Sequence, residues 1–292
     1  MVNTSISQAE AQRIDEFLTK SVGLTKDQLR MRALSELSWI HNRRKKGDEE
    51  KGDKYSPLTN RKLIIAYRNA IVDKFGDKSE LLNYLRYSEA RTEEYVEHQA
   101  VQRDAKHRDM RSLDAEEFVD AALILLGHCM KIRWSTPAAI AALCALTGRR
   151  SAEIGLTAQF APVLGNRHEA IFTGQLKTRD DARAMESYVI PLLGDRDLIL
   201  EAMEMMRTKI GSDIDAKKFN SRYGKEIGIQ SKRAFKDTEG IPLIPSDLRE
   251  AYAAIAFYQF APKRTSEVRY KCDVLGHKFM DTTVDYLGFT IE

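Results

Sequence analysis

The segment from Pro137 to Leu146, Pro-Ala-Ala-Ile-Ala-Ala-Leu-Cys-Ala-Leu, is the longest apolar run in this chain of 292 residues. It reaches only about half the ~20 residues that a membrane span needs. As a helix it is apolar nearly all round, and such a helix is stable only when other elements enclose it. The second half of the chain is therefore expected to pack around a central, buried helix over Thr136 to Leu146.

The flanking sequence supplies the enclosing elements. Ala115 to Ile132 reads as a helix. Three short strand-like runs follow, Ile154 to Val163, Ala170 to Lys177 and Ser187 to Leu192. Gly165-Asn166 provides the first turn between them and the polar stretch Thr178 to Ala184 the second. Helices resume over about Asp195 to Ile210, Ala216 to Ile227 and Asp247 to Phe260, and short helical pieces close the chain.

Residues 1 to about 110 read as all helix. Amphipathic segments begin at Ala9 and at Thr25, the latter with the stripe Leu29, Met31, Leu34, Leu37 and Ile40. A third follows Pro57, with Leu63, Ile64, Tyr67, Ala70 and Ile71 on one side, and a fourth starts near Lys78 with Leu81, Leu82 and Leu85. Arg43 to Gly52 is charged and glycine-punctuated, hence a loop, either simply solvated or a basic tip that touches a phosphate backbone. Ala105 to Asp114 has no helical period and is placed as the interdomain linker. The expected class is mainly α, with a helical domain over 1–110 and a second domain over 111–292 that sets a small three-stranded antiparallel sheet among helices.

Hydrophobic and charged contents of 43% and 30% suit a soluble globular chain. Net charge is only +3, so charge has to cluster locally if the partner is a polyanion. Cys129, Cys144 and Cys272 are odd in number and far apart, which suggests neither a disulfide framework nor a zinc site. Their use fits a reducing, cytoplasmic setting. The N-terminus lacks the apolar core of a signal peptide, and no membrane association is expected.

The chemistry lies in four boxes: Thr147-Gly-Arg-Arg150-Ser-Ala-Glu153, Gly174-Gln-Leu-Lys177, Ser246-Asp-Leu-Arg249, and Leu275-Gly-His277 with Tyr286 nine residues beyond the histidine. Taken singly, each fits a plainer role. Arg150 could satisfy carbonyls at the end of the buried helix, Lys177 could be an exposed hairpin lysine, and Arg249 could form a surface salt bridge. His277 could be structural and Tyr286 a core residue, and Glu153 is expected to pair with a neighbouring cation and fix the turn. Taken jointly, they are the parts for attack on a phosphodiester by the protein itself. The non-bridging oxygens need positive charge as the transition state forms, and the leaving hydroxyl needs a proton. Arginine suits the phosphate through its planar, permanently charged fork. Lysine carries a transferable proton. Tyrosine, with an ordinary pKa near ~10, becomes a nucleophile where cations stabilise the phenolate. No metal or other cofactor is required.

This constellation resembles the tyrosine recombinase superfamily, and within it the telomere resolvases, or protelomerases. Ala138 to Ile154 is similar to that family's first arginine box, including its doubled arginine. Phe172 to Lys177 is similar to its lysine hairpin, Asp247 to Ala256 to its second arginine helix, and Leu275-Gly-His277 with Tyr286 to its closing box. The likeness covers roughly Leu113 to the end. It implies a core-binding-like, DNA-binding first domain and a tyrosine recombinase-type catalytic domain. It also implies Tyr286 as the nucleophile of a 3′-phosphotyrosine intermediate, with Arg150, Arg249 and His277 holding the scissile phosphate and Lys177 protonating the leaving oxygen. The implied partner is double-stranded DNA with a palindromic target, bound by a homodimer and converted to closed hairpin ends, in a bacterial or phage-infected host cell.

The sequence departs from the superfamily pattern at Ser246, where a histidine or lysine usually stands and where serine could equally be an N-cap. The first domain is short for the family, and the closeness of Tyr286 to Glu292 leads us to expect no extra C-terminal domain. A recombinase that exchanges strands between two sites through a tetramer would use the same residues, and Ser246 leaves open a DNA-binding protein without catalysis. Expected DNA contacts are Lys131 and Arg133 before the central helix, Arg149 beside Arg150, and Lys217, Lys218, Arg222, Lys225, Lys232, Arg233 and Lys236 ahead of the second arginine box.

Overall fold

The structure, a computed structural model, describes residues 6–44, 53–176, 186–211 and 214–292. Lys177 and most of the charged run after Arg44 lie outside the described residues. The chain divides into two compact units, Met1–Asp104 and Ala105–Glu292.

The first unit is helical. Helix α1 (Gln8–Thr19) starts with a capping box in which Ser7 and Glu10 satisfy each other's backbone N–H groups. Helix α2 (Lys26–Asn42) repeats the device with Thr25 and Gln28. Helix α3 (Pro57–Phe75) has Ser56 as its cap and a proline in its first turn, where the missing N–H costs nothing. Helix α4 (Leu81–Tyr84) is a single turn, shorter than the leucine pattern suggests. Phe17, Ile40, Leu63, Tyr67 and Ile71 form the core between them. The stripe expected on α2 is shifted: Ala33, Leu37 and Ile40 are buried, whereas Met31 is 68% and Leu34 47% exposed. Spacings of four and three residues put 33, 37 and 40 on one face, and small Ala33 permits close packing there.

Helix α5 (Glu89–Arg108) was not foreshadowed by apolar periodicity, because Tyr95 is its only buried residue. Its last turn occupies the start of the expected linker, and strand β1 (Arg111–Leu113) occupies the rest. Helix α6 (Ala115–Lys131) then begins on an Asp114 cap. Helix α7 (Thr136–Thr147) is buried at every residue from Ala138 to Thr147, the central helix that its composition predicts. The expected strand from Ile154 opens instead as a π-helical turn, Glu153–Thr157. Ala158 N–H donates five residues back to Glu153 O at 2.7 Å, so pairing begins only with β2 (Gln159–Pro162). Strands β3 (Glu169–Thr173) and β4 (Tyr188–Pro191) complete an antiparallel sheet in the order β2-β3-β4, as expected.

Helices α8 (Arg196–Ile210), α9 (Ala216–Ala234), α10 (Pro245–Phe260), α11 (Glu267–Leu275) and α12 (Met280–Val284) follow, and β5 (Phe289–Ile291) pairs in parallel with β1. That pairing brings the end of the unit back to its beginning, so the segment just before β5 is held at both sides. Helices α6, α8, α9 and α10 enclose α7. Among the described residues no helix is long and apolar enough to cross a membrane.

Candidate active site

Arg150 sits where α7 stops. Gly148 ends the helix in the left-handed region, φ 65°, and a Cβ there would lie 2.1 Å from the Tyr252 ring. The chain therefore turns sharply beside α10 and sends two consecutive arginines in different directions. Arg150 remains partly accessible, with its Nη1 donating to Glu153 Oε1 at 2.6 Å and to the Leu176 carbonyl at 3.2 Å. Arg149 goes inward and has no accessible surface. A side chain so enclosed cannot reach a phosphate, so the expectation that Arg149 contacts DNA is corrected. It donates to Tyr188 Oη at 2.6 Å and to the Val274 carbonyl, and lies over the Phe172 ring at 4.7 Å.

Glu153 is the electrostatic counterpart of these cations, as its position in the box predicts. It accepts from the Arg150 N–H at 2.8 Å and from the Leu176 N–H at 3.0 Å as well as from the Arg150 guanidinium. Burial works to raise its carboxyl, but Arg249, Arg150 and Arg149 outweigh that and hold it below the ordinary carboxylate range. Burial likewise works to lower Arg150, and the Glu153 carboxylate, with a smaller contribution from the Tyr286 hydroxyl, turns the net shift upward.

Arg249 is not a surface residue. It lies in the first turn of α10 at 3% exposure, donating to the Gly148 carbonyl and, at 2.7 Å, to the Leu275 carbonyl. Its Nε is buried with no hydrogen-bond partner among the described residues. Burial and the neighbouring Arg149 and Arg150 push its guanidinium down to about 10, still a cation at neutral pH. Its carbon lies 5.8 Å from the Tyr286 ring centre. Ser246, one turn earlier, is exposed, and the capping position belongs to Ile244, so the serine is not the N-cap.

His277 follows α11, whose cap Gly276 takes φ 67°. Its Nδ1 is 2.9 Å from Thr283 Oγ1, and its ring centre is 4.9 Å from that of Tyr286. Tyr286, half-buried, leaves α12 with its N–H donated to Thr283 O at 2.8 Å. Three consecutive carbonyls here are gripped by side chains: Val284 by His107 at 2.9 Å, Asp285 by Lys106 at 2.7 Å and Tyr286 by Lys271 at 3.4 Å. Glu250, next to Arg249, accepts from Lys106 and from the Gly288 N–H. Lys106, Glu250 and Lys271 have no motif in the sequence. Only Glu250 carries a hint, as a buried acid beside a boxed arginine.

The structure thus brings Arg150, Arg249, His277 and Tyr286 together, while Lys177 begins the undescribed stretch directly after Leu176. Lys217, Lys218, Arg222, Lys225, Lys232 and Arg233 are exposed on α9, opposite buried Phe219, Tyr223 and Ile227. Lys236, just past α9, is exposed too, and Lys131 and Arg133 are exposed around the end of α6. Two adjoining clefts of about 750 and 850 Å3 share Gly211, Ile214 and Asp215. Together they reach from Leu176 and Arg207 to Lys217, Lys218 and Arg222. Among the described residues no group of three or more His, Cys, Asp or Glu side chains is placed to hold a metal ion.

The arrangement sets a tyrosine beside arginine and histidine side chains, the grouping that attack on a phosphodiester by a protein nucleophile requires. Residues 110–289 match the model of the telomere resolvase ResT/TelK catalytic domain, and the chain belongs to that family. The fold is similar to that of selenomethionine protelomerase TelA covalently complexed with substrate DNA, with a TM-score of 0.79 and 23% identity, over 99% of this chain and 90% of that one. It is also similar to a TelA variant complexed with a DNA hairpin product, with a TM-score of 0.80, 22% identity and the same coverage of 99% and 90%. Protelomerase TelK complexed with substrate DNA superposes with a TM-score of 0.62 and 19% identity, over 98% of this chain and 58% of that one. No curated protein matches the chain in sequence.

Proposed function

We propose that this telomere resolvase breaks DNA with Tyr286 and reseals it as closed hairpin ends, with Arg150, Arg249 and His277 around the scissile phosphate. The observation that carries the residue assignment is the position of Tyr286, its ring 4.9 Å from that of His277 and 5.8 Å from the Arg249 guanidinium. In the forward step Tyr286 Oη bonds to phosphorus and its proton leaves to solvent. The bond from phosphorus to O5′ breaks, the electron pair goes to O5′, and Lys177 supplies the proton that makes a 5′-hydroxyl. The phosphotyrosyl ester keeps the energy of the broken bond, so a second 5′-hydroxyl can reverse the step without a nucleotide. Leu176, the last described residue before Lys177 in the sequence, is bound to both Arg150 and Glu153, and this supports the lysine assignment.

A palindromic junction holds two equivalent phosphates, one per strand. One tyrosine can attack only one of them at a time, so the reading calls for two copies related by the two-fold axis of the DNA. That TelA has been seen both covalently bound to substrate DNA and with a hairpin product favours hairpin formation over exchange between separate sites. Incubating the protein with fragments of its own replicon, without metal or nucleotide, tests the proposal. Fragments that snap back after heating on a denaturing gel are expected, and none with Tyr286→Phe. Exchanged junctions without snap-back would show a conventional recombinase instead.

A further inference from the structure

Two bonds to Cys272 fix the backbone of His277. The His277 N–H donates to the Cys272 carbonyl at 2.9 Å, and the Cys272 thiol donates back to the His277 carbonyl at 3.3 Å. They set where the residue stands, but its side-chain torsions could still turn the imidazole several ways. The ring is met by Thr283, whose Oγ1 lies 2.9 Å from Nδ1. Thr283 has no accessible surface, whereas His277 and Tyr286 are each partly accessible. Its carbonyl accepts from the Tyr286 N–H at 2.8 Å while its hydroxyl meets the histidine. One buried residue thus touches both His277 and Tyr286, whose ring centres lie 4.9 Å apart.

The hydroxyl proton of Thr283 is available to that nitrogen. Helical serines and threonines often spend theirs on the carbonyl four residues back. Thr147 does so on Leu143 at 2.6 Å and Ser231 on Ile227 at 2.8 Å. Thr283 makes no such bond among the described residues, and its hydroxyl is paired with Nδ1 instead. Which imidazole nitrogen carries the proton is set by the bond that the other makes. A hydroxyl that donates to Nδ1 leaves the proton of the neutral ring on Nε2, which is then a donor. In the opposite tautomer Nε2 would present a lone pair, and a phosphate oxygen offers only lone pairs in return.

We infer that Thr283 is a positioning residue for His277: its hydroxyl donates to Nδ1, holds the neutral imidazole in the Nε2–H tautomer and so makes the histidine a hydrogen-bond donor to a non-bridging oxygen of the scissile phosphate. This inference rests on the assignment of His277 to that phosphate. No bond made or broken in the reaction passes through Thr283. It acts on the rate by keeping a donor aimed where negative charge builds up in the transition state.

Two measurements on the full-length protein test it. The first labels the histidine ring nitrogens and records long-range proton–nitrogen spectra at about pH 8, where a histidine is ordinarily neutral. His277, assigned by the signals lost in His277→Gln, should show the Nε2–H pattern. Thr283→Val keeps the side chain's shape without its hydroxyl and should lose that pattern, and Thr283→Ser should keep it. The second measurement is single-turnover cleavage of substrate DNA. It should fall on the order of 10- to 100-fold in Thr283→Val and return to within about threefold of wild type in Thr283→Ser. In a His277→Ala background Thr283→Val should slow cleavage no further, because a residue that acts through the histidine has nothing left to act on. An Nδ1–H pattern in the wild type would overturn the inference, and this spectrum decides even if Thr283→Val folds poorly. So would wild-type cleavage by Thr283→Val, or its full loss added on top of His277→Ala. Each of these leaves His277 assigned to the phosphate. Wild-type cleavage by His277→Ala would sink that assignment and the inference together.

Discussion

Glu153 is enclosed by protein, and three arginines together with the Arg150 N–H outweigh that burial and keep it charged. Its carboxylate aligns Arg150, holds Leu176 and balances Arg249, so one acid fixes both the first arginine and the backbone at Leu176. Its folded pKa is lowered from 4.5. The stabilisation it provides is therefore complete above about 4.5 and is lost as pH falls through the lower folded value. Glu153→Gln should be less stable than wild type by on the order of 2–4 kcal/mol near neutral pH. That difference should shrink as pH falls below about 4.5, where the unfolded carboxyl protonates, and be lost below the folded value, where the folded carboxyl is protonated too. Denaturant midpoints measured at a series of pH values check this, and a pH-independent difference would contradict it. Arg149 shows the limit of sequence patterns at this scale. The two adjacent arginines are the same residue type, and only the turn after Gly148 decides which one stays partly accessible beside Glu153 and which one turns inward to the end of α11.

At the scale of elements, α9 presents an exposed basic face. Lys218, Arg222, Lys225 and Lys232 recur at spacings of four, three and seven residues, which places them on one face opposite the buried Phe219 and Tyr223. A phosphate backbone tracked by that face would release counterions. Lys218→Ala with Arg222→Ala should weaken DNA binding and reduce the slope of log affinity against log salt by about 1 for each phosphate that is no longer neutralised. An unchanged slope would remove α9 from the interface. Elements with strong apolar patterns were legible: α7 by its unbroken apolar run, α10 by Leu248, Tyr252 and Ile255, and β3 and β4 by alternation and flanking turns. The elements that escaped had weak local signals. Helix α5 is polar on nearly every side, and β1 and β5 are three residues each, paired across most of the unit. The π-helical turn rests on a backbone bond from Ala158 to Glu153 five residues back, which no periodicity reports.

At the scale of the whole molecule, each unit has its own core. The chemistry gathers in the second, where four segments distant in sequence meet around the end of α7. Closure by β1 and β5 explains how the segment carrying Tyr286 is held firmly. Lys106, His107 and Lys271 grip the backbone before Gly288, and Glu250 takes the Gly288 N–H. The fold and the family could be argued from boxed residues in order, whereas this backbone scaffolding could not, since its parts lie in stretches without a motif.

The most direct measurement of the central claim is to trap the reaction by denaturing the full-length protein during turnover on its own DNA, digest it, and locate the adduct by mass spectrometry. The account predicts a nucleotide joined through a 3′-phosphate to the peptide containing Tyr286, absent from Tyr286→Phe. An adduct on another residue, or cleavage that persists in Tyr286→Phe, would contradict it.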